Sequence, residues 1–329
     1  MWHYKIVPAF QKMGLFGQKW TSNIRLDGKT AIITGCNTGI GKYNAFDFYK
    51  RGCRVIMACR DVGKAEKAKD DMENELKNVE NLGSLIVEKL DLASFKSVRE
   101  FSNTILKKEK SIHFLINNAG VMACPKSLSE DGYEMQFATN HLGHFLLTLL
   151  LLPRIINSAP ARIVNVSSAA YMAGNMILDD INLDNSYSPI SAYGRSKLAN
   201  ILFTKELARR LGERDVKVYA VHPGVVKTDL GRHMDTLVFS GFQKCYRVLL
   251  GFFMKNVEDG SRTQIYCALD EKAGQETGLY YSNCKAVTPW SKASDMEMAK
   301  KLWDVSWNIV KLENYDPFNE EKQNDESQS

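Results

Sequence analysis

The feature that most constrains this chain is a glycine-rich turn between a short apolar segment and the start of a helix. Segment 30–34 reads Thr-Ala-Ile-Ile-Thr, and glycines follow at positions 35, 39 and 41. Gly35 permits a sharp turn, Gly39 lets the backbone approach a phosphate, and Gly41 lets helix and strand pack closely. The helix N-terminus then offers N–H groups and positive partial charge to an anion. This context predicts a dinucleotide site. A P-loop is excluded because the spacing to Lys42 places Cys36 where glycine is needed.

Apolar runs alternate with helical patterns through most of the chain. Several of the runs are apolar throughout, as expected for strands covered on both faces. Such alternation predicts one α/β domain with a Rossmann-type, doubly wound parallel sheet over residues 26–312. The predicted strands are 30–34, 54–58, 84–90, 114–117, 162–167, 217–221 and a short one near 278–282. The predicted helices are 40–51, 63–78, 95–109, 131–152, 193–211, 258–270 and 295–310.

Three segments fall outside this pattern. In the N-terminal arm, residues 1–25, apolar side chains alternate with lysines, which fits either an interfacial amphipathic helix or an arm lying on the domain. Segment 237–254 is rich in Leu and Phe; it could cover an apolar substrate, contact a bilayer or pack on the domain. The polar segment 313–329 is predicted to be a disordered tail.

Charge and cysteine usage exclude several classes of protein. The net charge of +5 comes from 43 basic and 38 acidic residues spread along the chain, without a basic stripe, so we expect no nucleic-acid partner. The seven cysteines form no CxxC pair, which favours reduced thiols. His141 and His144 lack companion ligands, so we predict structural roles for them and no metal site.

A tyrosine and a lysine form the candidate catalytic pair. Tyr193 and Lys197 are four residues apart and would share one face of the helix predicted at 193–211. A nearby ammonium stabilises phenolate and lowers the pKa of a tyrosine from its usual value of about 10. Tyr193 could then exchange a proton with an alcohol or a carbonyl near neutral pH.

The spacing Gly-x-x-x-Gly-x-Gly, together with Tyr-x-x-x-Lys, resembles the short-chain dehydrogenase/reductase family over residues 26–310. The resemblance implies an oxidoreductase in which a nicotinamide cofactor moves a hydride while Tyr193 moves a proton. Within the family's motifs, Asn140 would hold a water in a proton relay behind Lys197. Ser168, with Ser167 as the alternative, would bind the substrate oxygen. The catalytic set is therefore Asn140, Ser168, Tyr193 and Lys197.

The resemblance also implies the cofactor contacts. At the position of the acid that NAD enzymes use on the ribose hydroxyls, this chain has Cys59, followed by Arg60, whose guanidinium suits the extra phosphate of NADP. The neighbouring Asp61 argues for NAD, and we predict NADP(H) over NAD(H). The predicted cofactor contacts are Gly35, Asn37, Thr38, Gly39, Ile40, Gly41, Arg60, Asp91, Leu92, Asn118, Ala119, Gly120, Tyr193, Lys197, Pro223, Gly224, Val226 and Thr228.

Longer segments resemble the retinol dehydrogenase branch of the family, among them Asn140-His-Leu-Gly-His-Phe-Leu-Leu-Thr and Ser196-Lys-Leu-Ala-Asn-Ile-Leu-Phe-Thr. This implies a retinoid or similar lipophilic alcohol and its aldehyde as substrates, with segment 171–191 forming part of the cleft. A reductase of steroid, lipid-aldehyde or xenobiotic carbonyls and a non-enzymatic dinucleotide-binding protein are the alternatives. The resemblance further suggests peripheral contact with the cytoplasmic side of the endoplasmic reticulum or another intracellular membrane. It also suggests a homodimer or tetramer through helices 131–152 and 193–211, whereas a membrane-facing segment 237–254 would favour a monomer.

Overall fold

A twisted eight-stranded sheet forms the centre of the molecule. A computed structural model of the chain describes residues 20–226 and 255–318. Across the sheet the order is β3-β2-β1-β4-β5-β6-β7-β8, with β1 to β7 parallel and β8 antiparallel to β7. The strands are β1 Thr30–Thr34, β2 Arg54–Cys59, β3 Ser84–Lys89, β4 Phe114–Asn117, β5 Ala161–Val166, β6 Val216–His222, β7 Leu279–Ser282 and β8 Lys285–Ala286. The predicted doubly wound parallel sheet is confirmed.

Helices cover both faces of the sheet, so the central strands are buried on both sides. The helices are α1 Gly39–Lys50, α2 Val62–Glu75, α3 Phe95–Lys108, α4 Gly143–Asn157, α5 Pro189–Leu211, α6 Val257–Leu269 and α7 Met296–Ile309. One apolar core lies beneath α3, α4 and α5, and the other beneath α1, α2 and α6.

Two helices begin four or more residues away from their predicted starts. The helix expected over 131–152 begins at Gly143 and runs to Asn157, and it follows a helical lead-in made of Met135–Phe137 and a π-helical segment, Ala138–Leu142. Helix α5 begins four residues before Tyr193, at Pro189. Proline is favoured at the first helical position because its ring fixes φ and the missing N–H has no helical partner there.

The sheet order places the candidate site. Strand β1 lies between β2 and β4, so the connections from β1 and β4 leave on opposite sides and open a crevice at the carboxyl edge. The glycine turn follows β1 at this edge, and Ser168 and Pro223 follow β5 and β6 there. Parallel pairing thus gathers segments that are far apart in sequence.

Helix α7 covers the outer side of α4 and α5, where the resemblance suggested a dimer contact. The Trp303 ring lies 5.1 Å from the Phe145 ring and 6.0 Å from the Phe203 ring, and Arg210 lies over it at 4.3 Å. Residues 313–318, expected in the tail, continue this cover: the Tyr315 hydroxyl bonds to the carbonyls of Leu149 and Leu150, and Phe318 stacks on Trp303.

At the other end, Trp20 of the predicted arm packs edge-on against Tyr266 and donates a hydrogen bond to Asp270. Among residues 20–226 and 255–318, no helix is both long and apolar enough to cross a membrane. The six described cysteines are free. Residues 1–19, the candidate flap 237–254, Thr228 and the tail from 319 onward lie outside the described residues.

Candidate active site

The glycine turn has the backbone geometry its sequence predicts. Gly35 and Gly39 have φ values of +65° and +57°, a region that disfavours side chains. A Cβ atom on Gly41 would lie 2.5 Å from the carbonyl oxygen of Gly35, so only glycine lets α1 start this close to β1. The first turn of α1 contains no acidic residue, so its positive end is not neutralised from within the helix.

Thr34 joins the glycine turn to the end of β4. Its hydroxyl accepts hydrogen bonds from the backbone N–H groups of Asn118 and Ala119, both at 2.9 Å. The Asn118 amide returns a bond of 2.9 Å to the carbonyl of Thr34. The Asn-Asn-Ala-Gly segment therefore fixes the two strand ends that border the crevice.

The four predicted catalytic residues converge. The Tyr193 hydroxyl lies close enough to the Ser168 side chain for the two to interact. The Lys197 Nζ lies 5.6 Å from the centre of the Tyr193 ring and donates to the carbonyl of Val166 at 3.0 Å. A Cβ atom on Gly120 would lie 3.1 Å from Asn140 Oδ1 and 3.6 Å from Lys197 Nζ, so both atoms border the same glycine.

Burial sets the protonation of this group. It raises the pKa of Tyr193 to about 12, contrary to the lowering by Lys197 expected from the sequence, while the interaction with Ser168 acts in the opposite direction. It lowers the pKa of Lys197 to about 8, because the ammonium has lost water. Near neutral pH the arrangement is a protonated phenol beside an ammonium, which is the state that can donate a proton to a substrate oxygen.

Asn140 lies in the π-helical segment, a local widening often found at functional sites. Its side chain accepts from Val121 N at 2.8 Å, donates to Val121 O at 2.9 Å, and donates to Ser196 Oγ at 2.9 Å. Both amide hydrogens and one lone pair of Oδ1 are thus engaged, and the orientation of the side chain between the segment after β4 and α5 is fixed.

His144 links Asn140 to the glycine turn. Its Nδ1 lies 3.1 Å from the carbonyl oxygen of Asn140 and its Nε2 lies 2.9 Å from the Thr34 hydroxyl. Burial lowers the pKa of His144 to about 3, so the ring is neutral. A carbonyl only accepts, so Nδ1 carries the proton and Nε2 accepts from Thr34. His144 therefore has the structural role predicted for it, which is to join the backbone of Asn140 to the hydroxyl of Thr34. No sequence pattern indicated these two hydrogen bonds.

The residues expected at the adenosine end lie at the ends of β2 and β3. Cys59 is buried and Arg60 is exposed. The Asp61 carboxylate accepts from Lys64 N at 3.0 Å as the cap of α2 and pairs with Lys64 Nζ at 3.4 Å. Asp91 accepts from Ala93 N at 3.0 Å, and Leu92 beside it is buried.

The turn after β6 brings an additional cation to the carboxyl edge. Gly224 has φ of +92°, and a Cβ atom there would lie 3.1 Å from Lys255 Nζ. Val226 pairs with Lys255 through a β-bridge. Lys255 also bonds to Asn283 Oδ1 at 2.6 Å. No sequence motif identified Lys255. It reaches this edge because it pairs with Val226, from which it is separated in sequence by the undescribed residues 227–254.

The segment after Ser168 packs directly on α5, the helix that carries Tyr193. A Cβ atom on Gly194, next to Tyr193, would lie 2.6 Å from the carbonyl of Ala170. Tyr171 OH accepts from the backbone of Trp290, and Lys292 donates to the carbonyls of Met172 and Gly174. The predicted cleft segment 171–191 therefore begins beside Tyr193.

Comparison with known proteins agrees with this geometry. The family described as "short chain dehydrogenase" matches residues 29–236. The chain is 44% identical to mouse retinol dehydrogenase 12 over 94% of this chain and 95% of that protein. It is 45% identical to human retinol dehydrogenase 14, over 87% of this chain and 88% of that one. A solved structure of an uncharacterized protein from Mycobacterium paratuberculosis matches 89% of this chain and 98% of that chain, with a TM-score of 0.71 and 34% identity.

Proposed function

This chain belongs to the short chain dehydrogenase family and is an oxidoreductase, and from that premise we propose that it uses NADP(H) to interconvert a retinoid or similar lipophilic alcohol and its aldehyde or ketone. The observation that carries the chemistry is the convergence of Tyr193, Ser168 and Lys197 at the carboxyl edge of the sheet. The identity to retinol dehydrogenases over nearly the whole chain supports the substrate class.

In the proposed mechanism, Tyr193 is the general acid in reduction and the general base in oxidation. Ser168, beside Tyr193, would share the substrate oxygen with it and hold that oxygen in line for proton transfer. The Lys197 ammonium would stabilise developing phenolate charge on Tyr193. Asn140, held by Val121 and Ser196, would keep a water in a proton relay behind Lys197.

The family binds a nicotinamide dinucleotide, and the described residues fit one. The α1 N-terminus, with no acidic residue in its first turn, would hold the pyrophosphate. Lys197 would hold the nicotinamide ribose, and Pro223 and Gly224 the carboxamide. When bound, the dinucleotide supplies or accepts the hydride.

Arg60 and Asp61 together support the preference for NADP(H). The Asp61 carboxylate was the main argument for NAD, but it is engaged by Lys64 N and Lys64 Nζ. The Arg60 side chain is exposed beside the buried Cys59, with no described acceptor for its guanidinium. A phosphate on the adenosine ribose would find a cation and no free carboxylate at this strand end.

Exposed apolar side chains near the site support a lipophilic substrate. Met172, Ile177 and Ile190 belong to the cleft segment, and Val225 follows Pro223 and Gly224; all four are exposed. Trp290, whose backbone bonds to Tyr171, is 57% exposed. Apolar side chains left exposed beside a site suit it to bind apolar material.

The same edge supports our proposal of peripheral contact with the cytoplasmic side of an intracellular membrane. The Lys292 ammonium lies 5.9 Å from the centre of the Trp290 ring. An aromatic ring beside a lysine is a combination favoured at membrane interfaces.

The deciding experiment measures oxidation of NADPH and NADH by purified protein with detergent-solubilised all-trans-retinal. We expect turnover linked to NADPH, abolished in Tyr193→Phe while NADPH binding persists. Turnover with steroid or short aldehydes alone would overturn the retinoid assignment. Undiminished turnover in Tyr193→Phe would overturn the catalytic assignment.

A further inference from the structure

A fully buried ion pair lies between the catalytic helix and the lead-in of α4. Glu134 and Arg195 are 0% and 1% exposed, and Arg195 Nη2 lies 3.7 Å from Glu134 Oε2. Removing two charges from water is costly, and the Nε of Arg195 has no hydrogen-bond partner among the described residues. An ion pair that is buried at such a cost is expected to position other groups.

Glu134 fixes the segment that carries Asn140. Its two carboxylate oxygens accept from Gln136 N and Phe137 N, each at 2.9 Å, and so cap the helical lead-in. The Arg195 guanidinium lies over the Phe137 ring, 4.7 Å from its centre. The pair therefore joins α5, which carries Tyr193, to the turn that leads into Asn140.

Arg195 also holds the far part of the cleft segment. It donates to the carbonyl of Ile181 at 2.7 Å and to that of Asp180 at 3.2 Å. A planar guanidinium can serve two carbonyls and a carboxylate at once, which a lysine ammonium on a flexible stem does poorly. We call residues 180–189 the cleft wall.

Neighbours of Glu134 extend the attachment of the cleft wall. Glu134 N donates to Asn182 Oδ1 at 2.9 Å. The Gln136 amide donates to Tyr187 OH at 3.1 Å and to the carbonyl of Pro189 at 3.0 Å. The wall is thus held along its length by side chains of the Asn140 lead-in and of α5.

We propose that Arg195 and Glu134 are positioning residues that set substrate specificity, by fixing the cleft wall at once to the helix of Tyr193 and to the lead-in of Asn140. The proposal rests on the oxidoreductase function argued above. Tyr193 and Lys197 have their own anchors in Ser168 and Val166. Loss of the pair should therefore weaken binding of a long apolar substrate more than it slows chemistry on a short one.

The first test needs no turnover. We expect Arg195→Met to speed hydrogen exchange of the amides in 176–188 relative to wild type. The matched control is Glu206→Gln. Glu206 is equally buried on α5 and pairs with Arg209 and Arg210, yet it lies 13 residues beyond Tyr193, about 20 Å along the helix. Glu206→Gln should destabilise the fold without changing exchange in 176–188.

The second test separates the effect of the ion pair on the position of the cleft wall from its effect on the stability of the fold. Arg195→Met leaves the Glu134 charge unpaired, whereas Glu134→Gln with Arg195→Met removes both charges, loses one of the two cap bonds of Glu134, and should recover part of the lost stability. The double variant still lacks the bonds to the 180 and 181 carbonyls. We expect its KM for all-trans-retinal to rise about tenfold or more, with kcat and the use of a short aldehyde such as butanal changed less than about threefold.

The outcomes are distinct. Unchanged exchange in Arg195→Met, or equal acceleration in Glu206→Gln, would overturn the positioning role. A double variant whose KM for retinal matches wild type would overturn the specificity role. Absence of wild-type turnover with retinal would refute the proposed substrate instead, and the exchange comparison would still decide whether the pair fixes the wall.

Discussion

The buried ammonium of Lys197 donates a hydrogen bond to the carbonyl oxygen of Val166, 3.0 Å away, and no described carboxylate forms an ion pair with this ammonium. The same carbonyl accepts from Asn200 at 3.1 Å. A charge held by neutral groups alone destabilises the fold, which is expected where function requires the charge.

We therefore expect Lys197→Met to lose turnover and gain stability. The lowering of the Lys197 pKa from 10.5 to about 8 corresponds to roughly 3 kcal/mol, of which about 1 kcal/mol is offset by the lost hydrogen bond.

Below pH 8 the lysine is charged in folded and unfolded chains, so the penalty is complete. Between pH 8 and 10.5 only the unfolded chain keeps the proton, so wild type gains stability as pH rises. Urea unfolding should show the advantage of the variant shrinking over that range; a variant less stable than wild type at pH 7 would contradict this.

Arg60→Ala should alter cofactor preference. Loss of charge-assisted hydrogen bonds to the ribose phosphate costs about 1.5–3 kcal/mol, or roughly 10- to 100-fold in the Kd for NADPH. The Kd for NADH should change little. Lys67→Ala removes one exposed charge from the neighbouring helix α2 and is the matched control. Equal weakening of both cofactors in Arg60→Ala would show that the guanidinium does not read the phosphate; titration of cofactor fluorescence measures both constants.

Gly194→Ala should disturb the junction between Tyr193 and the segment after Ser168. The new Cβ would lie 2.6 Å from Ala170 O and 2.7 Å from Gly174 N, both backbone atoms. Overpacking of this kind costs about 1–3 kcal/mol, and displacement of Ser168 should lower kcat. Gly63→Ala provides the comparison, since its Cβ would meet only Asp61 Oδ1 at 3.7 Å in helix α2; we expect that variant to be as stable as wild type or more so. Thermal unfolding and initial rates decide, and wild-type behaviour of Gly194→Ala would contradict the tight contact.

Acid should destabilise the protein through its buried histidines. Burial lowers the pKa of His141 to about 3, from an ordinary value of 6.5. Between those values the unfolded chain binds a proton that the folded chain does not, so stability falls as pH drops from 6.5 toward 3. From pH 7 to 5 this amounts to about 2 kcal/mol for one histidine. His141→Met should reduce the difference in unfolding free energy between pH 7 and pH 5 by about that amount; an unchanged difference would mean that the His141 ring accepts a proton inside the fold.

Local patterns were sufficient for several parts of this molecule. Apolar runs located the seven parallel strands, and the glycine spacing located the turn after Thr34. Helix spacing predicted that Tyr193 and Lys197 share a face. One further local pattern bears on the cofactor: Asp61 directly precedes an expected helix, and Asp is a favoured N-cap residue, which weakens the argument for NAD.

The sequence by itself determined the doubly wound class, the glycine turn after β1 and the candidate pair of Tyr193 and Lys197, because each depends on the periodicity or spacing of residues near one another in the chain. Only the tertiary structure decided which side chains share hydrogen bonds across the sheet. His144 reaches Thr34, and Arg195 reaches Glu134 and the cleft wall, because the strand order and helix packing bring together residues that are tens of positions apart. The physical reason is that a buried polar group takes whichever partner the packing supplies, and no local pattern specifies that partner.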